Sequence, residues 1–112
     1  MIVDALIPAL DEEDSLPGVL AGLRGRGLRR VVVVDNGSRD RTGEVARAAG
    51  AEVVECPRRG YGSACLAGIR HLAVDPPDVV VFLDADGADD PDDLGSLLAP
   101  IRADRADLVI GS

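Results

Sequence analysis

The sequence predicts an open α/β sheet, mostly parallel, with helices on both faces. Three observations lead there. Short apolar runs alternate with segments of helical period four times along the chain. The valines within Arg30 to Val34 and the run Val79 to Leu83 are unbroken, the pattern of strands buried on both faces. Polar residues then gather just past the strands, at Pro8 to Glu12, Asp35 to Ser38 and Asp84 to Gly87. In open α/β sheets ligands bind beyond the carboxyl ends of strands, near the point where strand order reverses.

The elements follow in order. Ile2 to Ile7 reads as a strand ended by Pro8. After the acidic segment Asp11 to Ser15, Leu16, Val19, Leu20 and Leu23 recur at helical spacing until Gly25 and Gly27. Pro17 suits the first turn of that helix, where a missing N–H costs nothing. Arg30 to Val34 is the second strand. Asp35-Asn36-Gly37-Ser38 is a turn, with Ser38 or Asp40 expected to cap a helix that runs to Ala49 and closes at Gly50. Ala51 to Glu55 forms an edge-like third strand, and Ser63 to Leu72 a helix after the basic loop Pro57 to Gly62. Val79 to Leu83 is the fourth strand, Pro91 to Ile101 a helix, and Asp107 to Ile110 the last strand.

The chain has 112 residues and a formal charge of −8. That is one small domain, large enough to bury a core. With 46% apolar and 29% charged residues the balance is that of an ordinary globular chain, and a folded domain is expected. The negative charge argues against nucleic acid and anionic lipid as partners, and 2% aromatics without Trp supplies no base-stacking platform. No apolar run approaches the ~20 residues of a membrane span, and no signal peptide is expected. Cys56 and Cys65 form neither a metal spacing nor a disulfide framework, so a reduced, cytoplasmic setting is expected.

The strongest chemical signal is Asp84-Ala85-Asp86. Alternate residues of an extended segment point the same way, so both carboxylates can meet one ligand. Mg²⁺ or Mn²⁺ takes such oxygen donors together with substrate phosphates, and the ion would neutralise a diphosphate leaving group. The following acids, Asp89, Asp90, Asp92 and Asp93, read as helix capping around Pro91. A calcium loop counted from Asp84 fails, with Asp89 where glycine is needed and Gly95 where a bidentate acid is needed.

Other candidates are weighed against plainer roles. Asp35 could accept bonds from a nucleobase or ribose, or could simply close an Asx turn. Glu12 could meet the same nucleoside, its acidic neighbours complementing a helix start. Arg58-Arg59-Gly60-Tyr61-Gly62 could hold a phosphate, or be a solvated loop; as a dinucleotide fingerprint it fails, with Cys65 at the third glycine position. His71 reads as a helix C-terminal dipole partner, and Cys56 and Cys65 as loop and core residues. Nothing pairs a nucleophile with a base.

Taken together, VDALIPALDEE (Val3 to Glu13), VVVVDNGSRDRT (Val31 to Thr42), RGYG (Arg59 to Gly62) and VFLDADGADDP (Val81 to Pro91) resemble the glycosyltransferase family 2 domain, in particular the dolichyl- or polyprenyl-phosphate sugar transferases. The resemblance implies a Rossmann-like nucleotide-diphospho-sugar transferase (GT-A) fold, a UDP- or GDP-sugar donor, Mg²⁺ or Mn²⁺ as cofactor, and usually inverting transfer. Position by position it assigns Pro8 and Glu12 to the first nucleotide-contacting loop, Asp35 to the base or ribose, Asp84 and Asp86 to metal and diphosphate, and Arg59 to a variable basic position.

The family usually has Asn-Glu where this chain has Asp11-Glu12, so an altered base contact is expected. Gly87 stands where polyprenyl-phosphate relatives often carry a larger residue. Family domains are about twice as long, so residues 1–112 are expected to be the donor-binding part, with the acceptor part and any general base beyond Ser112. Two alternatives stay open, an Asp-x-Asp phosphohydrolase and a non-catalytic nucleotide-binding module.

Overall fold

The computed structural model describes residues 1–85 and the backbone of 107–110. Five parallel strands, β1 (Val3–Ala9), β2 (Arg30–Asp35), β3 (Glu52–Glu55), β4 (Val79–Phe82) and β5 (Asp107–Ile110), form one sheet in the order β3-β2-β1-β4-β5. Among the described residues three helices, α1 (Leu16–Leu23), α2 (Thr42–Ala48) and α3 (Tyr61–Leu72), link β1 through β4 in turn. The order grows outward from β1 to β3, then resumes on the other side of β1 with β4. The switch point therefore lies between the ends of β1 and β4.

The strand period of two divides the core. Val3, Ala5, Ile7 and Ala9 of β1 face Leu16, Leu20 and Leu23 of α1 and Ala46 of α2. Leu6, with Val32, Val34, Val80 and Phe82, faces Ala64 and Leu72 of α3. Helices thus cover both faces, as the unbroken valine runs require. α3 comes close to the sheet because Gly68 has no side chain: a Cβ there would stand 2.3 Å from Leu6 Cδ1 and 3.0 Å from Val34 Cγ2. Gly68→Ala should therefore destabilise by about 1–3 kcal/mol through overpacking, despite alanine's better helix propensity. A denaturant midpoint equal to or above wild type would refute that contact.

Two local expectations are corrected. The first strand does not end at Pro8 but continues through it to Ala9, with Pro8 in register with Val34. In β1 the even residues turn their backbone groups toward β4, as Ile2 and Leu6 show by accepting from Val79 and Leu83. The missing N–H of Pro8 faces that side, past the last paired residue, Leu6 opposite Phe82, so it breaks no bond there. For α2, the N-cap position belongs to Arg41 and neither Ser38 nor Asp40 occupies it. Asp40 instead stands one residue earlier and accepts the N–H of Thr42 at 2.9 Å.

At the opposite edge of the sheet lies a polar cluster the sequence did not announce. Asp4 is fully buried. Its Oδ2 accepts from Arg29 Nη2 and Arg30 Nη2, both at 2.7 Å, and its Oδ1 accepts the Arg30 N–H at 3.0 Å. Both guanidinium groups also donate to the Asp75 carbonyl at 2.6 Å. Burial alone would raise the Asp4 pKa, but the hydrogen bonds from Arg29 and Arg30 outweigh it and hold the carboxyl below its ordinary value. Asp4 in turn raises Arg29 above its usual value.

Candidate functional site

At the carboxyl edge of the sheet, side-chain bonds knit together the segments that follow β1, β2, β3 and β4. At the switch point a cleft of about 250 Å³ opens, lined among others by Pro8, Glu12, Asn36, Tyr61, Asp84 and Ala85. Three expected site residues, Pro8, Glu12 and Asp84, thus converge. Glu12 and Asp84 are each half-buried, arriving from the loop after β1 and the end of β4. Ser15 joins those two segments, because its Oγ lies 2.6 Å from the Ala85 carbonyl and 3.0 Å from Glu12 Oε2. With a single hydroxyl proton it serves these acceptors in place of capping α1.

Asp35 and Arg59 stand apart from that cleft. Asp35 Oδ1 accepts the Ser38 N–H at 2.9 Å, closing the Asx turn in which Gly37 takes φ 84°. Its other oxygen lies over Gly43, 3.1 Å from where a Cβ would be. Asp35 lines a separate hollow of about 200 Å³ with Ser38, Glu55 and Pro57. Arg59 is exposed, and its Nη2 donates to the Gly37 carbonyl at 3.2 Å. It steadies the turn after β2 and is not part of the cleft lining. Asp86, the acidic residues 89–93 and the expected helix Pro91 to Ile101 lie outside the described residues.

Asp11 is a non-glycine residue with positive φ, 53°. Asn and Asp tolerate that left-handed conformation best, which accounts for either residue at this position. Its Oδ1 accepts the Arg39 N–H at 2.7 Å, so the extra charge is engaged with backbone and Asp11 does not line the cleft.

Asn36 was missed. It is buried, its Nδ2 donates to the carbonyls of Cys56 and Arg58 at 3.0 and 2.8 Å, and its Oδ1 accepts the Gly60 N–H at 3.1 Å. This one amide holds the glycine-rich loop against the end of β2 and leads into Tyr61, which opens α3 at the cleft wall. In the sequence, Asn36 reads only as a turn residue. His71 lies in the last turn of α3 as expected, its Nε2 2.8 Å from Glu52 Oε1. Cys56 is buried after β3, while burial pushes the Cys65 thiol up, away from a reactive thiolate.

Two carboxylates at one cleft are hard oxygen donors, the type that holds Mg²⁺ or Mn²⁺ jointly with phosphate oxygens. Among the described residues no three His, Cys, Asp or Glu side chains come together. No helix among those residues is long and apolar enough to cross a membrane.

Sheet order, two-sided helix cover and a cleft at the switch point where Glu12 and Asp84 converge define a doubly wound α/β class of fold. The chain belongs to glycosyl transferase family 2, whose model matches residues 4–112. It is 48% identical over 109 residues to an uncharacterized glycosyltransferase of Mycobacterium tuberculosis, covering 97% of this chain and 47% of the relative. It is 40% identical over 119 residues to the undecaprenyl-phosphate mannosyltransferase of Micrococcus luteus, covering 100% of this chain and 48% of that protein. Glucosyl-3-phosphoglycerate synthase from M. tuberculosis, solved in complex with UDP, superposes with TM-score 0.75 at 31% identity, over 88% of this chain and 39% of that one. The fold is accordingly the GT-A fold. The chain spans about half the length of the curated relatives it matches.

Proposed function

We propose that residues 1–112 form the donor-binding part of a metal-dependent glycosyltransferase that moves a sugar from a UDP- or GDP-sugar to an acceptor, a polyprenyl phosphate being the class favoured. The observation that carries this reading is the convergence of Glu12 and Asp84 in the cleft at the switch point, between the ends of β1 and β4. Support for the donor and metal comes from the synthase of similar fold, which was solved with Mn²⁺ and UDP-glucose. Support for the acceptor class comes from the names of two relatives, the M. luteus mannosyltransferase and a dolichyl-phosphate N-acetylglucosaminyltransferase of Methanococcus voltae.

In this reading Asp84, with Asp86 following it, would hold Mg²⁺ or Mn²⁺ against the diphosphate. The ion supplies charge neutralisation of the departing nucleoside diphosphate. Glu12 accepts hydrogen bonds from the nucleoside, and Pro8 keeps the cleft wall free of a competing backbone donor. Asp35 reaches the nucleoside from the neighbouring hollow, and Arg59 assists a phosphate by steadying the turn after β2. Membership of the family favours sugar transfer over the phosphohydrolase alternative.

Calorimetric titration with UDP and with GDP, each with and without Mn²⁺, tests the reading. Binding of one nucleotide that strengthens at least about tenfold with the ion is expected, a change of ~1.4 kcal/mol. The absence of binding by either nucleotide in the presence of Mn²⁺ would overturn it.

A further inference from the structure

The loops after β1 and β2 are fastened to each other by a set of backbone-to-side-chain bonds. The N–H groups of Asp11, Glu12 and Glu13 donate in turn to Ser38 Oγ (3.0 Å), Thr42 Oγ1 (2.9 Å) and Asp40 Oδ2 (3.2 Å). Two bonds return. The Arg39 N–H donates to Asp11 Oδ1 (2.7 Å) and the Arg41 N–H to Glu13 Oε2 (3.3 Å). Three consecutive donors of one loop are thus met by side chains at positions 38, 40 and 42 of the other.

Thr42 is the centre of this lock. It is fully buried, accepts from the Glu12 N–H and donates its own hydroxyl proton to Asp40 Oδ1. Asp40 also takes the Thr42 N–H, so one carboxylate organises both loops. Neither Thr42 nor Asp40 lines the cleft, whereas Glu12 does. Whatever they do at the cleft, they do through the main chain, Thr42 at the Glu12 N–H and Asp40 at Thr42 and the Glu13 N–H. On its other side Glu12 is tied through Ser15 to Ala85, next to Asp84.

We propose that Thr42 and Asp40 are positioning residues for donor binding: Thr42 holds the Glu12 N–H while Asp40 fixes Thr42 and the adjacent Glu13 N–H, and together they set where the Glu12 carboxylate stands in the cleft, and hence how well a nucleoside is held. This rests on the nucleotide-binding reading above. Valine in place of Thr42 keeps the shape but takes away both the acceptor for Glu12 and the donor to Asp40. Serine keeps both.

The test is a double-mutant cycle on the full-length protein, with UDP and GDP as probes in the presence of Mn²⁺ and thermal midpoints recorded in parallel. Thr42→Val is expected to weaken the preferred nucleotide about five- to tenfold, the scale of one lost hydrogen bond. Thr42→Ser should restore binding to within about twofold. In a Glu12→Ala background the Thr42→Val effect on affinity should vanish, because the carboxylate being aimed is gone. Asp40→Ala run through the same cycle gives the answer if Thr42→Val does not fold. A loss of affinity that is equal in both backgrounds, or no loss at all, would overturn the positioning role and leave the nucleotide-binding reading standing. Wild-type protein that binds neither nucleotide would overturn both.

Discussion

Asp4→Ala should lower the stability of the fold by about 3–5 kcal/mol, the scale of breaking a buried, hydrogen-bonded ion pair by removing one partner. The carboxylate is fully buried and receives Arg29 and Arg30, whose side chains are only 27% and 16% exposed. Alanine leaves both guanidinium groups, and the Arg30 N–H, facing a gap where the acceptor stood. The loss is read as a shift of the denaturant midpoint at unchanged slope. A midpoint equal to wild type would show that the cluster contributes nothing net. The acid limb follows with a definite sign. Because the Asp4 pKa is lowered in the folded state, its contribution is complete above the unfolded value of ~3.9 and is lost as pH falls below that through the folded value. Asp4→Asn should flatten that limb while lowering stability at neutral pH.

Asp84→Ala is expected to cost about two orders of magnitude or more in Mn²⁺-dependent nucleotide affinity. Changes one shell further from a metal already cost 10- to 100-fold, so loss of a direct ligand should do at least as much. Asp84 is half-buried at the end of β4, beyond the paired residues, so stability should change by no more than about 1 kcal/mol. The two effects are separable by calorimetry and thermal melting on one sample. Unchanged affinity in the variant would remove Asp84 from the metal site.

The architecture was legible because it depends on periodicity. The valines of β2 and β4 announced strands covered on both faces, and Asp107 to Ile110 was found at its observed limits. The Asx turn at Asp35 and the positive φ of Gly37 were legible too, since they are local chemistry between residues three apart. What could not be read were bonds between segments far apart in sequence. Asn36 and Gly60 are 24 residues apart, Glu12 and Thr42 are 30, and Ser15 and Ala85 are 70. Each of those side chains has a plausible local role as a turn or cap residue, and nothing in a linear pattern says that the fold spends it elsewhere. Asp4 was hidden for a different reason. Lying between Val3 and Ala5, it reads as one polar residue in a strand, and only the sheet register places it beside Arg30.

Pro8 carries a consequence for how durable the cleft is. The ladder between β1 and β4 stops where Leu83 donates to Leu6, and the next rung would require a donor that an imino acid does not possess. The notch is therefore built into the main chain, as a zipper with a tooth removed, rather than carved by the side chains around it. Exchanging Glu12, Tyr61 or Asp84 would change what the notch welcomes, yet leave the gap itself open.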